Sequence, residues 1–185
     1  MRRALLLLAA VALAGCSPKA AREGLGSPMP TRPPAEVSAW FLADRGGQIW
    51  LAQELRTVPD DARIPQAAVE QVLGGPRVKS LFTPFPDGTR VRSVTVDGSV
   101  ATVDFDARVL AASVGTEAEA YGIQSIVYTL TDLPPIEKVR FTVEGRDSGT
   151  ASNGRPIQDW WGHVGLSGQP FTRDPSLRIF DASGT

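Results

Sequence analysis

Val91-Arg92-Ser93-Val94-Thr95-Val96-Asp97-Gly98-Ser99-Val100-Ala101-Thr102-Val103-Asp104-Phe105-Asp106 is the stretch that decides the fold class. Two runs rich in β-branched residues flank Asp97-Gly98, a dipeptide suited to a two-residue type I′ turn. With that turn Val96 pairs with Ser99 and Val94 with Ala101. Val94, Val96, Ala101, Val103 and Phe105 then share one face of a hairpin, so register and hydrophobic pattern agree. Arg92 falls opposite Val103 on that same face and is expected to reach the sheet's rim.

Upstream, the apolar run Val37 to Ala43, the turn Asp44-Arg45-Gly46-Gly47 and the run Ile49 to Val58 read as a second hairpin. Pro65 to Leu73 follows as a short helix. Pro65 sits in its first turn, Ala68, Val69, Val72 and Leu73 lie on one face, and Gly74-Gly75-Pro76 is the stop. Downstream, Thr116-Glu117-Ala118-Glu119 offers a capping box. It opens a helix expected to run to about Thr131, with Ala120, Ile123, Val127 and Leu130 spaced for burial. Leu133-Pro134-Pro135 ends it. The last strand, Ile136 to Glu144, alternates Val139, Phe141 and Val143 inward with Lys138, Arg140, Thr142 and Glu144 outward.

The order β-β-α-β-β-α-β predicts an α/β (α+β) domain over residues 36–147, with one mixed or antiparallel sheet and two helices packed on one face. The polar positions of the last strand imply that the sheet's other face is wet or meets a partner. After Gly145 the pattern fades. Trp160-Trp161 is expected to cap the domain, and residues 148–185 form an irregular, partly docked tail.

The N-terminus has a different character. Arg2-Arg3, an apolar run of about ten residues and small residues before a cut site are the layout of a secretory signal, here 1–15. Its ending, Leu13-Ala14-Gly15-Cys16, resembles the lipobox of bacterial lipoproteins, in which the cysteine is lipidated, with palmitate among the expected acyl groups, and the signal is cut before it. Cys16 is the only cysteine, so no internal disulfide or cysteine-rich metal site is available. An exported unpaired thiol is an oxidation liability unless covalently occupied. Residues 17–35 hold five prolines and almost no large apolar side chains. With Cys16 they read as a tether, 16–35, that holds the domain off a membrane.

Cleavage before Cys16 removes 15 of the 185 residues and leaves 170, enough for one domain with an irregular tail. It also removes Arg2 and Arg3, taking the basic count from 19 to 17 against 20 acidic side chains, a net charge of about −3. No basic stripe is present to bind nucleic acid.

Val37–Leu42, Val72-Leu73-Gly74-Gly75-Pro76, Phe85-Pro86-Asp87-Gly88-Thr89 leading into Val91–Val96, Val100–Phe105, Ile126-Val127-Tyr128-Thr129-Leu130 and Val139–Gly145 together resemble the GerMN domain. That domain is found in sporulation and spore-germination lipoproteins and in other bacterial envelope proteins. The resemblance spans roughly residues 36–147 and rests on the order and spacing of these stretches. It implies a non-catalytic envelope module whose fold is similar to the ring-building domains of secretion-like assemblies. An envelope protein partner or self-association is expected, with the membrane engaged through lipid on Cys16.

Candidate chemistry is sparse. His163, the sole histidine, is read as a structural or exposed side chain of the tail rather than a base or ligand. Asp104 and Asp106 share a strand face and would suit cation binding or acid–base work. The preferred reading places both in solvent at the end of the hairpin. The glycine pairs at 46–47 and 74–75 lack the Lys-Ser/Thr of a phosphate loop. No cofactor, metal site or catalytic residue is therefore expected. Trp160 and Trp161 are the ligand-binding candidates, able to stack on a wall sugar if their faces are open, although paired tryptophans at a domain's end more often cover its core. The leading expectation is a non-enzymatic interaction or scaffold lipoprotein, extracytoplasmic and lipid-anchored to a bacterial membrane, either the cell membrane or the outer membrane, with peptidoglycan or small-ligand binding as the alternative.

Overall fold

The computed structural model of the protein describes residues 33–61, 63–158, 160–161 and 165–180. The signal segment, Cys16, most of the tether and His163 lie outside the described residues. Strands β1 (Ala35–Asp44) and β2 (Ile49–Val58) form the expected hairpin, with Phe41 opposite Ala52. Helix α1 (Ile64–Leu73) carries Pro65 in its first turn and ends at Gly74, whose amide bonds to Glu70 O at 2.9 Å. Then come β3 (Leu81–Phe82), β4 (Val91–Asp97), β5 (Val100–Phe105), a 3-10 turn (Ala107–Ala111), α2 (Thr116–Thr131), β6 (Lys138–Val143) and β7 (Ile179–Phe180).

The α+β class and the order of the longer elements are as expected. The single sheet is not: the strands form two, β3-β1-β2-β7 and β4-β5-β6, each mixing parallel and antiparallel pairs. The reason lies in β1, which is apolar on both faces. Val37, Ala39, Phe41 and Ala43 point one way, Trp40 and Leu42 the other, and all are buried. A strand apolar on both faces needs cover on both. Ala39, Phe41 and Ala43 join the main core with Val69 and Val72 of α1, Ile126 and Leu130 of α2, and Val103, Phe105, Val139 and Phe141 of the second sheet, while Val37 packs with Val58 and Ala68. Trp40, Leu42 and Leu51 pack on Tyr121 and Tyr128 of α2. The helices do not lie on one face of a sheet; α1 touches β1, β2 and β4, and α2 touches β1, β2 and β6. Full burial of each large apolar side chain contributes roughly 1.5–3 kcal/mol, so this shared core is what joins the two sheets.

Two local expectations shift. In the central hairpin Asp97 pairs with Val100, Val96 with Ala101 and Val94 with Val103. The turn residues are thus Gly98-Ser99, with Gly98 at φ 57°, the glycine-first arrangement of a II′ turn. The slip is two residues, so every side chain keeps its face. Arg92 sits in a bulge between Val91 and Ser93 and pairs with Asp104 instead of standing opposite Val103. At α2 the expected capping box is not formed. Gly115 is the N-cap in an extended conformation, its carbonyl takes the Glu119 amide at 3.0 Å, and Thr116 is already helical.

From Tyr121 to Leu130 every residue of α2 is buried, polar ones included. Those polar groups are bonded. Ser125 donates to Gly122 O and Thr129 to Ser125 O, and Thr129 Oγ1 also accepts the Trp40 amide at 3.0 Å. The cover on the far side of α2 comes from residues 171–180 of the tail.

Candidate functional site

Trp160 and Trp161 are 3% exposed and stack on each other with ring centroids 5.1 Å apart. Trp160 meets Phe105 and Phe141 edge-on, and Trp161 tilts against Phe85. Their faces are spent inside the core, which is the reading preferred over sugar stacking. Each indole N–H is buried without an acceptor among the described residues. Beside them lies a cavity of about 230 Å³ lined by Leu110, Glu119, Arg155 and Pro156 together with the two tryptophans. Arg155 is partly committed there, donating to Leu110 O at 2.7 Å.

Asp104 corrects the expectation of a solvent-facing pair. It is 9% exposed and accepts from Arg92 Nη1 (2.9 Å), Thr142 Oγ1 (2.9 Å) and the Gly145 amide (2.6 Å). Two of these donors fill Oδ1 and the third sets a guanidinium on Oδ2, so the carboxylate ties β4, β5 and the end of β6 together rather than serving a proton or cation. The bulge that turns Arg92 outward brings its guanidinium over the group. Asp106 instead caps the 3-10 turn, accepting from Arg108 N and Arg90 N. The two carboxylates thus serve separate structural ends.

Sequence reasoning passes over two arrangements. Glu54 and Arg56, both facing inward on β2, form an ion pair with side chains 8% and 5% exposed. Glu54 also accepts the amides of Arg77 and Val78, pinning the loop after α1, and Arg56 reaches Gly75 O at 3.1 Å. Burial pulls the Arg56 guanidinium below its usual value, while Glu54 pushes it back. Two opposite charges at i and i+2 of an apolar strand are the signal that would find this pair. The second arrangement is the tail. Gln124 donates to Thr172 O and accepts from Asp174 N, the Tyr128 hydroxyl donates to Asp174 O at 2.9 Å, and the Tyr121 hydroxyl accepts from Arg178 N at 3.1 Å. Arg173 lies over the Tyr128 ring at 4.6 Å and pairs with Asp132, and Arg178 pairs with Glu117. The tail then adds β7 to β2, with the Leu51 amide bonding to Arg178 O at 2.8 Å. Residues 171–180 form a strap along the second helix.

An open surface lies on the β4-β5-β6 sheet. Its outer face carries Ser93, Thr95, Thr102, Lys138 and Arg140, and β4 has no strand beyond it among the described residues. Among those residues no group of His, Cys, Asp and Glu is placed to hold a metal, and no helix is long and apolar enough to cross a membrane. What this surface offers is strand edge and hydroxyl-rich face, the chemistry of contact.

The profile of the Germane family, described as sporulation and spore germination, matches residues 40–149. Solved structures that share the fold include the two that follow. The tandem GerMN domains of the sporulation protein GerM from Bacillus subtilis superpose with TM-score 0.60 at 20% identity, covering 78% of this chain and 48% of that one. This chain thus spans about half the length of the tandem protein. A protein from Clostridium perfringens designated a candidate lipoprotein superposes with TM-score 0.50 at 21% identity, covering 79% of this chain and 93% of that one. No curated protein sequence matches the chain.

Proposed function

This chain belongs to the Germane family of sporulation and spore-germination domains, and from that premise we propose that it is a non-enzymatic, lipid-anchored interaction module of the bacterial cell envelope. The observation that carries the reading is the position of the family domain, residues 40–149, behind a signal that ends Leu13-Ala14-Gly15-Cys16. Two or more acyl chains on Cys16 hold a protein stably on a membrane where one holds it marginally. The prolines of residues 17–35 then set the domain off the surface, extracytoplasmic, where it meets partners in sporulation, germination or related envelope assemblies. The carboxylates that would have served a hydrolase, Asp104 and Asp106, are used up in bonds that hold strands and caps.

Fractionation of cells carrying Cys16→Ala tests the anchor, with the variant expected in the soluble extracytoplasmic fraction and the wild type in the membrane pellet. Mild crosslinking of intact envelopes tests the module, with defined adducts expected for the wild type. A variant that stays in the pellet removes the anchor. A wild-type chain that yields no adduct removes the interaction role.

A further inference from the structure

A sheet edge exposes unpaired amides and carbonyls, and folded proteins usually cover or blunt it. Among the described residues this chain covers parts of three of its edge strands. The Val139 amide and carbonyl are taken by Phe171 at 2.9 and 2.7 Å, and the Phe141 amide donates to the Gln169 side chain, so the β6 edge is occupied. β1 and β2 take the two-residue strands β3 and β7. β4 takes none: among the described residues Ser93 to Asp97 pair only with β5. Thr95, Val96 and Asp97 are all exposed, so side chains on both faces of this margin meet solvent. Val96, on the core side opposite Ala101, is 42% exposed, and its neighbour Val94 is only half-buried. The core-side surface lacks one strand's width of cover.

We infer that a second copy of this chain supplies that cover by adding its own β4 antiparallel to the first, about a two-fold axis at Thr95. The inference deepens the interaction reading above and rests on it. The sequence of the edge is self-complementary in one register. A two-fold through Thr95 sets Val94 opposite Val96 of the second copy and Val96 opposite its Val94, both on the core side. On the outer side Thr95 meets Thr95, and the Ser93 hydroxyl meets the Asp97 carboxylate, so no like charges oppose. Asp97 of the second copy also arrives next to Arg92, whose guanidinium is half exposed beside Asp104 and retains free donors. The bulge at Arg92 ends the regular ladder, and this register uses the whole regular stretch Ser93 to Asp97 and nothing beyond. A register centred on Val94 would run into the bulge. The result is one continuous sheet, β6-β5-β4 joined to its symmetry mate. A pair this short is weak in dilute solution, and confinement by a shared membrane raises the effective concentration at which it forms.

Directly opposed residues of antiparallel strands have Cα atoms about 4.5–5.5 Å apart, within disulfide range. The full-length Thr95→Cys chain in membranes, mildly oxidised, is therefore expected to form a disulfide-linked dimer above the background of the wild type with its own Cys16. The Ser93→Cys/Asp97→Cys double variant is expected to link as well, and Asp97→Cys alone is not. Val96→Lys in the Thr95→Cys background should lower the dimer yield roughly tenfold, by placing an ammonium against Val94 of the second copy. Absence of the Thr95→Cys dimer overturns the inference, as does equal linking by Thr102→Cys on the central strand. If the Thr95→Cys chain links instead to a different protein, the second copy is overturned as occupant and the interaction reading stands, whereas loss of every envelope adduct removes that reading too.

Discussion

Gly122 is the residue at which local propensity and packing conflict most sharply. Glycine inside a helix is about 1 kcal/mol worse than alanine, so propensity alone makes Gly122→Ala stabilising. A Cβ at this position, however, would lie 2.5 Å from Trp161 Cη2 and 2.7 Å from Pro84 Cγ. Overpacking a filled site costs about 1–3 kcal/mol, and neither an indole stacked on Trp160 nor a proline ring has a rotamer to retreat into. We expect Gly122→Ala to lower stability by about 1–2 kcal/mol, measurable as a fall in thermal midpoint with loss of near-ultraviolet tryptophan ellipticity. A rise in midpoint would mean that the tryptophan pair is looser than its packing implies. The core role of Trp160-Trp161 is legible in the sequence, since aromatic pairs near a domain's end usually cover something. The seat that Gly122 makes for them is not, because it depends on residues far apart in the chain meeting in space. Asp104 escapes a sequence reading for a similar reason. Strand alternation correctly turns it away from the hydrophobic row, but nothing local says that a bulged Arg92 and the Gly145 amide will close over it.

At the scale of elements, the long strands and both helices follow from period and punctuation, and the errors fall at their ends. A two-residue slip at Gly98 and a one-residue slip at Gly115 both place glycine where the backbone is a turn or an extended cap, positions that propensity rules assign to Asp97 or Thr116. β3 and β7, two residues each, are too short to carry any periodicity; they exist because neighbouring edges need partners. The strap is illegible for the same reason, since α2 holds it through its backbone carbonyls and amides and through Arg173 and Arg178 rather than through any apolar period of its own. Asp174 gives the strap a pH dependence. The Ser176 hydroxyl and amide donate to its carboxylate at 2.6 and 2.9 Å and hold its pKa below the ordinary aspartate value. A depressed folded pKa contributes stability that is complete above the unfolded value, about 3.9, and is lost as pH falls through the folded one. The strap should therefore loosen as pH drops below about 4. Native-state hydrogen exchange, with the intrinsic rate corrected for pH, should show protection falling at Asp174, Ser176 and Arg178 while β5 keeps its own. Unchanged strap protection down to about pH 3 would place the holding energy elsewhere, in the Arg173 and Arg178 contacts.

For the whole molecule, the sequence points to one sheet because successive strands usually pair with one another. The two hairpins here pair within themselves and then face each other across helices, a distinction that hydrogen-bond register cannot announce from local pattern. The signal that is present, β1 apolar on both faces, implies cover on two sides and hence more than one layer. This arrangement makes a thermodynamic prediction. Trp40 packs on Tyr128 on the far face of the β1-β2 sheet, Trp50 joins the same strands, and Trp160, with Trp161 stacked on it, packs on Phe105 and Phe141 of the other sheet. If the sheets were independent units, the tryptophans would report two transitions. They share one core, though, in which Ile126, Val127 and Leu130 of α2 touch both sides, and loss of either sheet strips cover from that helix. A buried helix whose Gln124 is satisfied by the strap and whose Thr129 accepts the Trp40 amide has no stable half-folded form. Urea unfolding followed by tryptophan fluorescence and by far-ultraviolet circular dichroism should therefore superpose as a single two-state transition. Separate midpoints for the two signals would show that the sheets unfold on their own and that α2 belongs to one of them.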